Sequence, residues 1–279
     1  MKSQENQNHF GKKQKVLGDS MEVIVSCMNK DSNLYKTMNL STNAIIINQV
    51  KKDAFKYEKI NFKGSNIKFF SMPEVGVGLS RNNGLMRAED EILIIADEDE
   101  VFVNGYEDII KKEYERLNDA DMIVFNVRIH QNNKVSERVK KNGRVRKFNS
   151  LKYGAVTFTF KRTVFEKKRI YFSQLFGGGT QYGSGEDSLF IMDALKRKCK
   201  VYSSTKIIAD VYNDCSSWFT GYNQKFFEDK GALYYSLFPN LHFIFSYAFL
   251  MRRSFVLEKF TFHEAYKLML TGAKKFKNN

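Results

Sequence analysis

Cysteine is scarce in this chain, and the three present, Cys27, Cys199 and Cys215, share no metal-ligand spacing. An odd, scattered set excludes a disulfide framework and fits a reducing cytosol. Residues 1–20 lack the apolar core of a signal peptide; rich in Lys, Gln and Asn, they read as a disordered tail. Internal repeats are absent, as are zinc spacings, RNA-recognition signatures and a helix-turn-helix, so no nucleic acid is expected as partner. Acid is in deficit, 31 Asp and Glu against 45 Lys and Arg, a net charge of +14. Such an excess suits phosphorylated substrates or an anionic membrane face.

Against that basic background, one acidic run stands out. Ile92-Leu-Ile-Ile-Ala steps directly into Asp97-Glu98-Asp99-Glu100. A buried strand ending this way presents carboxylates at its carboxyl edge, where open α/β sheets bind ligands. Alternation along a strand puts Asp97 and Asp99 on one side. Paired carboxylates repel unless a cation sits between them, and hard Mg²⁺ or Mn²⁺ suits oxygen donors. A solvated turn is the plainer reading of the same acids.

The rest of the pattern alternates strand and helix. Strands are expected at Glu22–Cys27, Ala44–Ile47, Ile67–Phe70, the acid-tipped segment and Met122–Asn126, with helices carrying Leu34 and Met38, Leu85 and Met86 after a Ser80 N-cap, and Tyr106 to Leu117. This is an α/β fold with a mostly parallel sheet flanked by helices. Beyond Asn126, Lys134 to Phe148 reads as a hairpin or excursion around Asn142-Gly143, and Ala155 to Phe160 as a half-buried strand. Glycines at 177–179, 183 and 185 then precede a helix over Glu186 to Lys198 and a strand at Val201.

Glu186 and Asp187 open that helix, where free N–H groups and the helix dipole hold carboxylates. A capping box, with Ser184 as cap and Asp187 reaching back, accounts for them equally well. Their company, an acid pair upstream and glycines alongside, favours a site.

Taken in order, these motifs resemble family 2 glycosyltransferases of the GT-A fold, the nucleotide-diphospho-sugar transferase, Rossmann-like class. The resemblance runs from Glu22 to Trp218. Val23-Ile-Val-Ser26-Cys-Met-Asn29 is similar to the family's opening strand and base-contacting loop, and Gly78-Leu-Ser-Arg81-Asn-Asn-Gly84 to the stretch before its metal strand. Asp97-Glu98-Asp99 matches the Asp-x-Asp motif, which implies Asp97 at the ribose and Asp99 on a Mn²⁺ or Mg²⁺ at the diphosphate. Glu186-Asp187 matches the Glu-Asp pair, which implies Asp187 as catalytic base. Ser26, Asn29, Asn48, Arg81, Asp97 and Glu98 become donor-binding candidates. Where the family often places an acid near uracil, this chain has Asn48 and Gln49. Where it often places a metal-binding histidine, this chain has Tyr212-Asn213-Asp214, so the metal set is Asp99, Asp97 and Asp214.

The resemblance implies a UDP-sugar donor, a hydroxyl acceptor on a glycan or lipid-linked carrier, a role in bacterial surface or capsular polysaccharide synthesis, and a hexosyl or N-acetylhexosaminyl group. One base and no enzyme nucleophile predict inversion. The domain plan is a GT-A unit over 21–218, with a nucleotide-binding half (21–126) and an acceptor half (127–218), followed by an extension over 219–279.

In that extension, Ala232 to Met251 contains no Asp, Glu, Lys or Arg, which just reaches a membrane span of roughly 20 residues. Pro239-Asn240 and His242 interrupt it, and its aromatics suit a headgroup boundary. Thr261-Phe-His-Glu264 looks like a capping box, and Phe262, Ala265, Tyr266, Met269, Ala273 and Phe276 form a stripe away from Lys267, Lys274, Lys275 and Lys277. This basic amphipathic helix is expected either to pack on the catalytic domain or to attach the protein to the cytoplasmic face of the plasma membrane.

Two other functions compete. An apolar run before Asp-x-Asp also resembles the first motif of haloacid-dehalogenase-like phosphatases, with Asp97 as nucleophile, Asp99 as acid/base, and Asp187 and Asp193 as later acids; yet some seventy residues of α/β pattern come first. A non-enzymatic basic binder of membrane or nucleic acid is the third reading. Trp218 could stack on an acceptor sugar or simply pack.

Overall fold

The computed structural model describes residues 20–51, 55–131, 134–212 and 219–278. The first strand, β1 (Met21–Met28), is paired on both edges and buried on both faces, with Val23 and Val25 in one core cluster and Ile24 in another. Val25 sits beside Ile46 of β2 (Asn43–Gln49) and, on the other flank, Ala96 of the acid-tipped strand. Unbroken apolar runs of this kind belong to parallel strands covered on both faces.

Short helix α1 (Leu34–Thr37) links β1 to β2, and two further strands follow: β3 (Lys56–Phe62) and β4 (Ser65–Met72). β4 lies parallel to β2 and contains the strand expected at Ile67–Phe70. The sequence reading missed β3, which pairs antiparallel to β4 through a two-residue turn in which Lys63 and Gly64 both have positive φ, 51° and 87°. That is the backbone of the tight hairpins that match strand twist. Alternating exposure and Lys56 and Lys59 on an edge strand obscured its pattern.

Helix α2 (Val77–Leu85) begins one turn earlier than expected. Gly76, at φ +129°, makes the entry, and Ser80 is buried inside the helix, where its hydroxyl accepts from Ser26. Two glycines let α2 lie against its neighbours: a Cβ on Gly84 would fall 2.3 Å from Ile24, and one on Gly78 2.0 Å from the Ser173 carbonyl oxygen.

β5 (Ile92–Asp97) ends at Asp97; Glu98 and Asp99 form a turn, and β6 (Glu100–Phe102) follows. The strand alternation used to put Asp97 and Asp99 on one side therefore does not apply. Helix α3 (Tyr106–Arg116) and β7 (Met122–Gln131) come next. β7 runs through residue 126, so the nucleotide and acceptor halves share one sheet. The excursion beyond it is not a hairpin about Asn142-Gly143. β8 (Lys134–Glu137) folds back on β7, while β9 (Gly143–Arg144) pairs with the late strand at Val201.

Residues 155–157 form a 3₁₀ turn, and the strand expected there is the shorter β10 (Phe158–Lys161). Phe158, Thr159 and Phe160 are all fully buried, not alternately so, because β10 lies between β5 and β7. Helices α4 (Arg162–Lys168) and α5 (Glu186–Lys196) precede β11 (Val201–Tyr212). Among the described residues the sheet has eleven strands, its main path running β3-β4-β2-β1-β5-β10-β7-β11-β6. The β4-β2-β1-β5 half is parallel, as expected.

The carboxyl-terminal segment is helical: α6 (Gln224–Leu237), α7 (His242–Arg252) and α8 (Phe262–Asn278). α6 and α7 separate around Pro239, and among the described residues no helix is long and apolar enough to cross a membrane. The capping box forms: Thr261 N–H donates to Glu264 (2.8 Å), and Glu264 N–H donates to the Thr261 hydroxyl (3.2 Å). Of the two expectations for the stripe, packing on protein is seen at its small and central residues, while Phe262, Tyr266 and Phe276 are partly exposed. Ala265, Met269 and Ala273 are buried, with α6 as neighbour. Close approach explains this: Cβ atoms on Gly231 and Gly272 would sit 1.8 Å and 2.0 Å from the carbonyl oxygens of Met269 and Glu228.

Candidate active site

The two acidic motifs meet through one arginine. Arg81, 2% exposed, reaches from the middle of α2. Its Nη2 donates to both carboxylate oxygens of Asp97 (2.8 and 3.1 Å), and its Nη1 donates to Glu186 Oε1 (3.0 Å). Phe172 lies beneath the guanidinium, 5.2 Å from its centre. Asn82 fixes that support: its amide donates to the Phe172 carbonyl (2.9 Å) and accepts from the Phe172 N–H (2.8 Å). The Arg81-Asn82 dipeptide thus anchors the loop at residue 172 and joins β5 to α5. A loose surface ion pair is excluded by its burial.

Pairing with Arg81 leaves the second acid of each motif differently placed. Asp97 N–H donates to Glu100 Oε1 (2.7 Å), and Glu100 is 1% exposed, so the fourth acid of the run is a buried brace. Burial, with Asp97 adding to it, holds the Glu100 carboxyl well above the usual carboxylate range. Glu98 accepts from the Met28 N–H (2.7 Å) and pairs with Lys30 (3.3 Å), tying the turn to the end of β1. Asp99 makes no salt bridge among the described residues. Burial, reinforced by Asp97, pushes its carboxyl up to about 6.

A carboxylate made costly to ionise by burial and a neighbouring acid gains by binding a cation. Asp99 and its neighbours offer hard oxygens, which fits Mg²⁺ or Mn²⁺. Among the described residues, however, no group of three or more His, Cys, Asp or Glu side chains converges as a metal site. Asp99 and Asp97 are the described acids that would hold such an ion. Asp214 and Trp218 lie outside the described residues.

At the other motif, Gly185 (φ +120°) is the N-cap of α5, and no side chain caps it, so the Ser184 capping box does not form. Instead Glu186 Oε2 accepts from the Gly185 N–H (3.1 Å), and Asp187 Oδ1 from the Ser188 N–H (2.6 Å). A Cβ on Gly177 would stand 3.0 Å from the Glu186 carboxylate, so the glycine there keeps room for that acid. Burial and then Asp187 raise the Glu186 pKa, which Arg81 opposes. Asp187 Oδ2 faces Gly154, which has no side chain to cover it.

The remaining candidates are mostly occupied within the protein. Ser26 donates to Ser80 (2.8 Å). Asn48 brackets Lys30, accepting from its N–H and donating to its carbonyl, both at 2.9 Å. Gln49 accepts from the Gly76 N–H (2.8 Å). These amides brace the loop after β1 and the entry to α2. Asn29, at φ 53°, is exposed at the end of β1. Asp193, a candidate of the phosphatase reading, pairs with Arg197 on the outer side of α5 (3.0 Å).

The fold has relatives among solved structures. S. aureus TarS 1–349 in complex with UDP-GlcNAc superposes with a TM-score of 0.61 over 93% of this chain and 79% of that one, at 15% identity. The same fragment in complex with UDP gives 0.58 over 93% and 90%, at 14% identity. The fold is GT-A-like. A longer TarS structure gives 0.59 at 16% identity, covering 86% of this chain and 44% of that chain. No family model matches the sequence, and no curated protein matches it either. Identity this low establishes the GT-A-like fold, and residue roles rest on this chain's own geometry.

Sequence reading missed two further residues of this region. Lys230 of α6 donates to the Ser184 hydroxyl (3.1 Å), beside the Glu186-Asp187 corner, and Arg253 follows α7. A lysine preceding Gly231 within an aromatic helix was the available signal.

Proposed function

We propose that this chain is a glycosyltransferase that moves a sugar from a UDP-sugar to a hydroxyl of a glycan or lipid-linked acceptor. The observation that carries the reading is Arg81 holding Asp97 and Glu186 together, which ties the acid-tipped end of β5 to the start of α5 in a GT-A-like fold. Asp99, with Asp97 behind it, would hold Mn²⁺ or Mg²⁺ against the diphosphate. The cation supplies Lewis-acid stabilisation of the negative charge that builds on the leaving diphosphate.

Asp187 is the base. Its Oδ2 takes the acceptor proton as the hydroxyl oxygen attacks the anomeric carbon and the bond to the diphosphate breaks. Positioned base catalysis of this kind contributes about 10²–10⁴-fold. Glu186 is a positioning residue, locked by Arg81. With one base and no protein nucleophile in the scheme, displacement is direct and the anomer inverts. The sugar is a hexosyl or N-acetylhexosaminyl group in this reading, used in surface polysaccharide synthesis.

Peripheral attachment to the cytoplasmic face of the membrane belongs to the same proposal, with a changed surface. α7 leaves Phe243, Ile244, Tyr247 and Met251 exposed along one side, next to Arg252 and Arg253. Apolar residues flanked by cations suit an anionic interface. Failure to bind anionic vesicles at low salt would remove this part.

The deciding experiment is calorimetric titration of UDP, with Mn²⁺ or a chelator, into wild type and Asp99→Ala. Metal-promoted binding that disappears in the variant is expected. Absence of UDP binding in every condition overturns the transferase reading. The phosphatase alternative is weakened by geometry, because its nucleophile, Asp97, has both oxygens bound by Arg81.

A further inference from the structure

Adjoining the Glu186-Asp187 corner is a cavity of about 380 Å³ between α6, the end of α7 and the start of α5. Ser188, the residue after Asp187, is part of its wall. Tyr222, Phe226, Tyr234 and Phe249 supply aromatic surface, and Lys230 and Arg253 supply charge. No acidic residue lines it among the described residues.

Both cations line this space, and the carboxylates of Glu186 and Asp187 lie outside its wall. Lys230 is half-buried, and among the described residues its hydrogen bond goes to a neutral hydroxyl, that of Ser184. Neither Lys230 nor Arg253 forms a salt bridge among the described residues. Burial lowers the Lys230 pKa; Asp187 and then Glu186 oppose that fall, and Arg253 adds to it. Arg253 is thus near enough to be felt at the lysine. Two like charges confined against aromatic walls are relieved by an anionic group bound to both, and charge-assisted hydrogen bonds to phosphate are the strong form of that contact.

Resting on the transferase reading, we infer that this cavity is the acceptor subsite and that it takes an acceptor bearing a phosphate group. The phosphate lies on Lys230 and Arg253, the carbon skeleton lies on the aromatic wall, and the reacting hydroxyl turns toward Asp187. Two sources share this chemistry: a phosphorylated polyol or glycan, and the diphosphate of an isoprenoid carrier.

The test uses full-length protein saturated with UDP and Mn²⁺, titrated with sn-glycerol 3-phosphate, farnesyl diphosphate or glycerol. One or both anions are expected to bind and glycerol not to. Arg253→Gln and Lys230→Met should each weaken anion binding at least tenfold while UDP affinity stays within twofold. Tighter binding of glycerol phosphate assigns a polyol or glycan phosphate; tighter binding of farnesyl diphosphate assigns a lipid carrier. No anion binding to the UDP-loaded wild type, or unchanged affinity in Arg253→Gln, overturns the inference. Arg253 is exposed, so that variant decides the matter even if Lys230→Met fails to fold. Loss of UDP binding in wild type strikes the transferase reading instead, and the anions are then titrated without UDP.

Discussion

Arg81 and Asp97 form a two-pronged contact, one guanidinium nitrogen on both carboxylate oxygens, while the same guanidinium holds Glu186. Sixteen residues separate the first pair and 105 the second, so one side chain sets the distance between two remote motifs. Removing one member of a buried ion pair strands the others, at a cost of about 3–5 kcal/mol. Arg81→Met is therefore expected to lose stability of that order in urea denaturation. Arg81→Lys should recover only part, because an ammonium cannot reproduce the fork.

Asp99 gives the pH dependence. Its carboxyl is raised from 3.8 to about 6, first by burial and then by Asp97. A raised acid disfavours the folded state wherever it is ionised, above about pH 6, and this penalty is relieved as pH falls from about 6 toward 3.8. Asp99→Asn should accordingly stabilise the metal-free protein at pH 7.5, by on the order of 1–2 kcal/mol after allowance for partial exposure, and do little at pH 4. Thermal melts at the two pH values check this. In wild type, Mn²⁺-promoted UDP binding should weaken on acidification through pH 6, because protons compete for the same carboxylate.

Asp187→Asn separates binding from chemistry. Transfer should fall about 10²–10⁴-fold with UDP affinity unchanged, since an amide keeps the shape but takes no proton. Equal activity in this variant would remove Asp187 as base. Product anomers read by NMR test inversion independently; a retained configuration contradicts it.

Gly231→Ala and Gly272→Ala probe the α6–α8 contact. Each added methyl would overlap a backbone carbonyl, at 1.8 Å and 2.0 Å, and backbone cannot rotate away as a side chain can. Losses at the upper end of the ~1–3 kcal/mol range for overpacking are expected in denaturant titrations.

The parallel half of the sheet was legible because β1, β2 and β5 are continuous apolar runs, a pattern set by burial on both faces. Edge and short strands were not. β3 alternates with lysines, and β6 hides in an acidic run whose last member, Glu100, is buried as a brace although its charge signals solvent. At the site, the order of motifs indicated which acids belong together, but not how. Arg81 could be read as a substrate contact or a surface pair; only packing on Phe172 and Glu186 defines its partners. Amphipathic period in α8 correctly located an apolar face, yet period alone cannot name what covers it. The glycines at 231 and 272, which admit α6, carried that information.

Helix α6 is a partition wall one backbone thick. On one side Gly231 presses against Met269; on the other, its neighbour Lys230 reaches the Ser184 loop and the aromatic cavity. Sequence drift in α8, a helix that touches none of the proposed reacting groups, can therefore retune what the cavity accepts by nudging this shared wall.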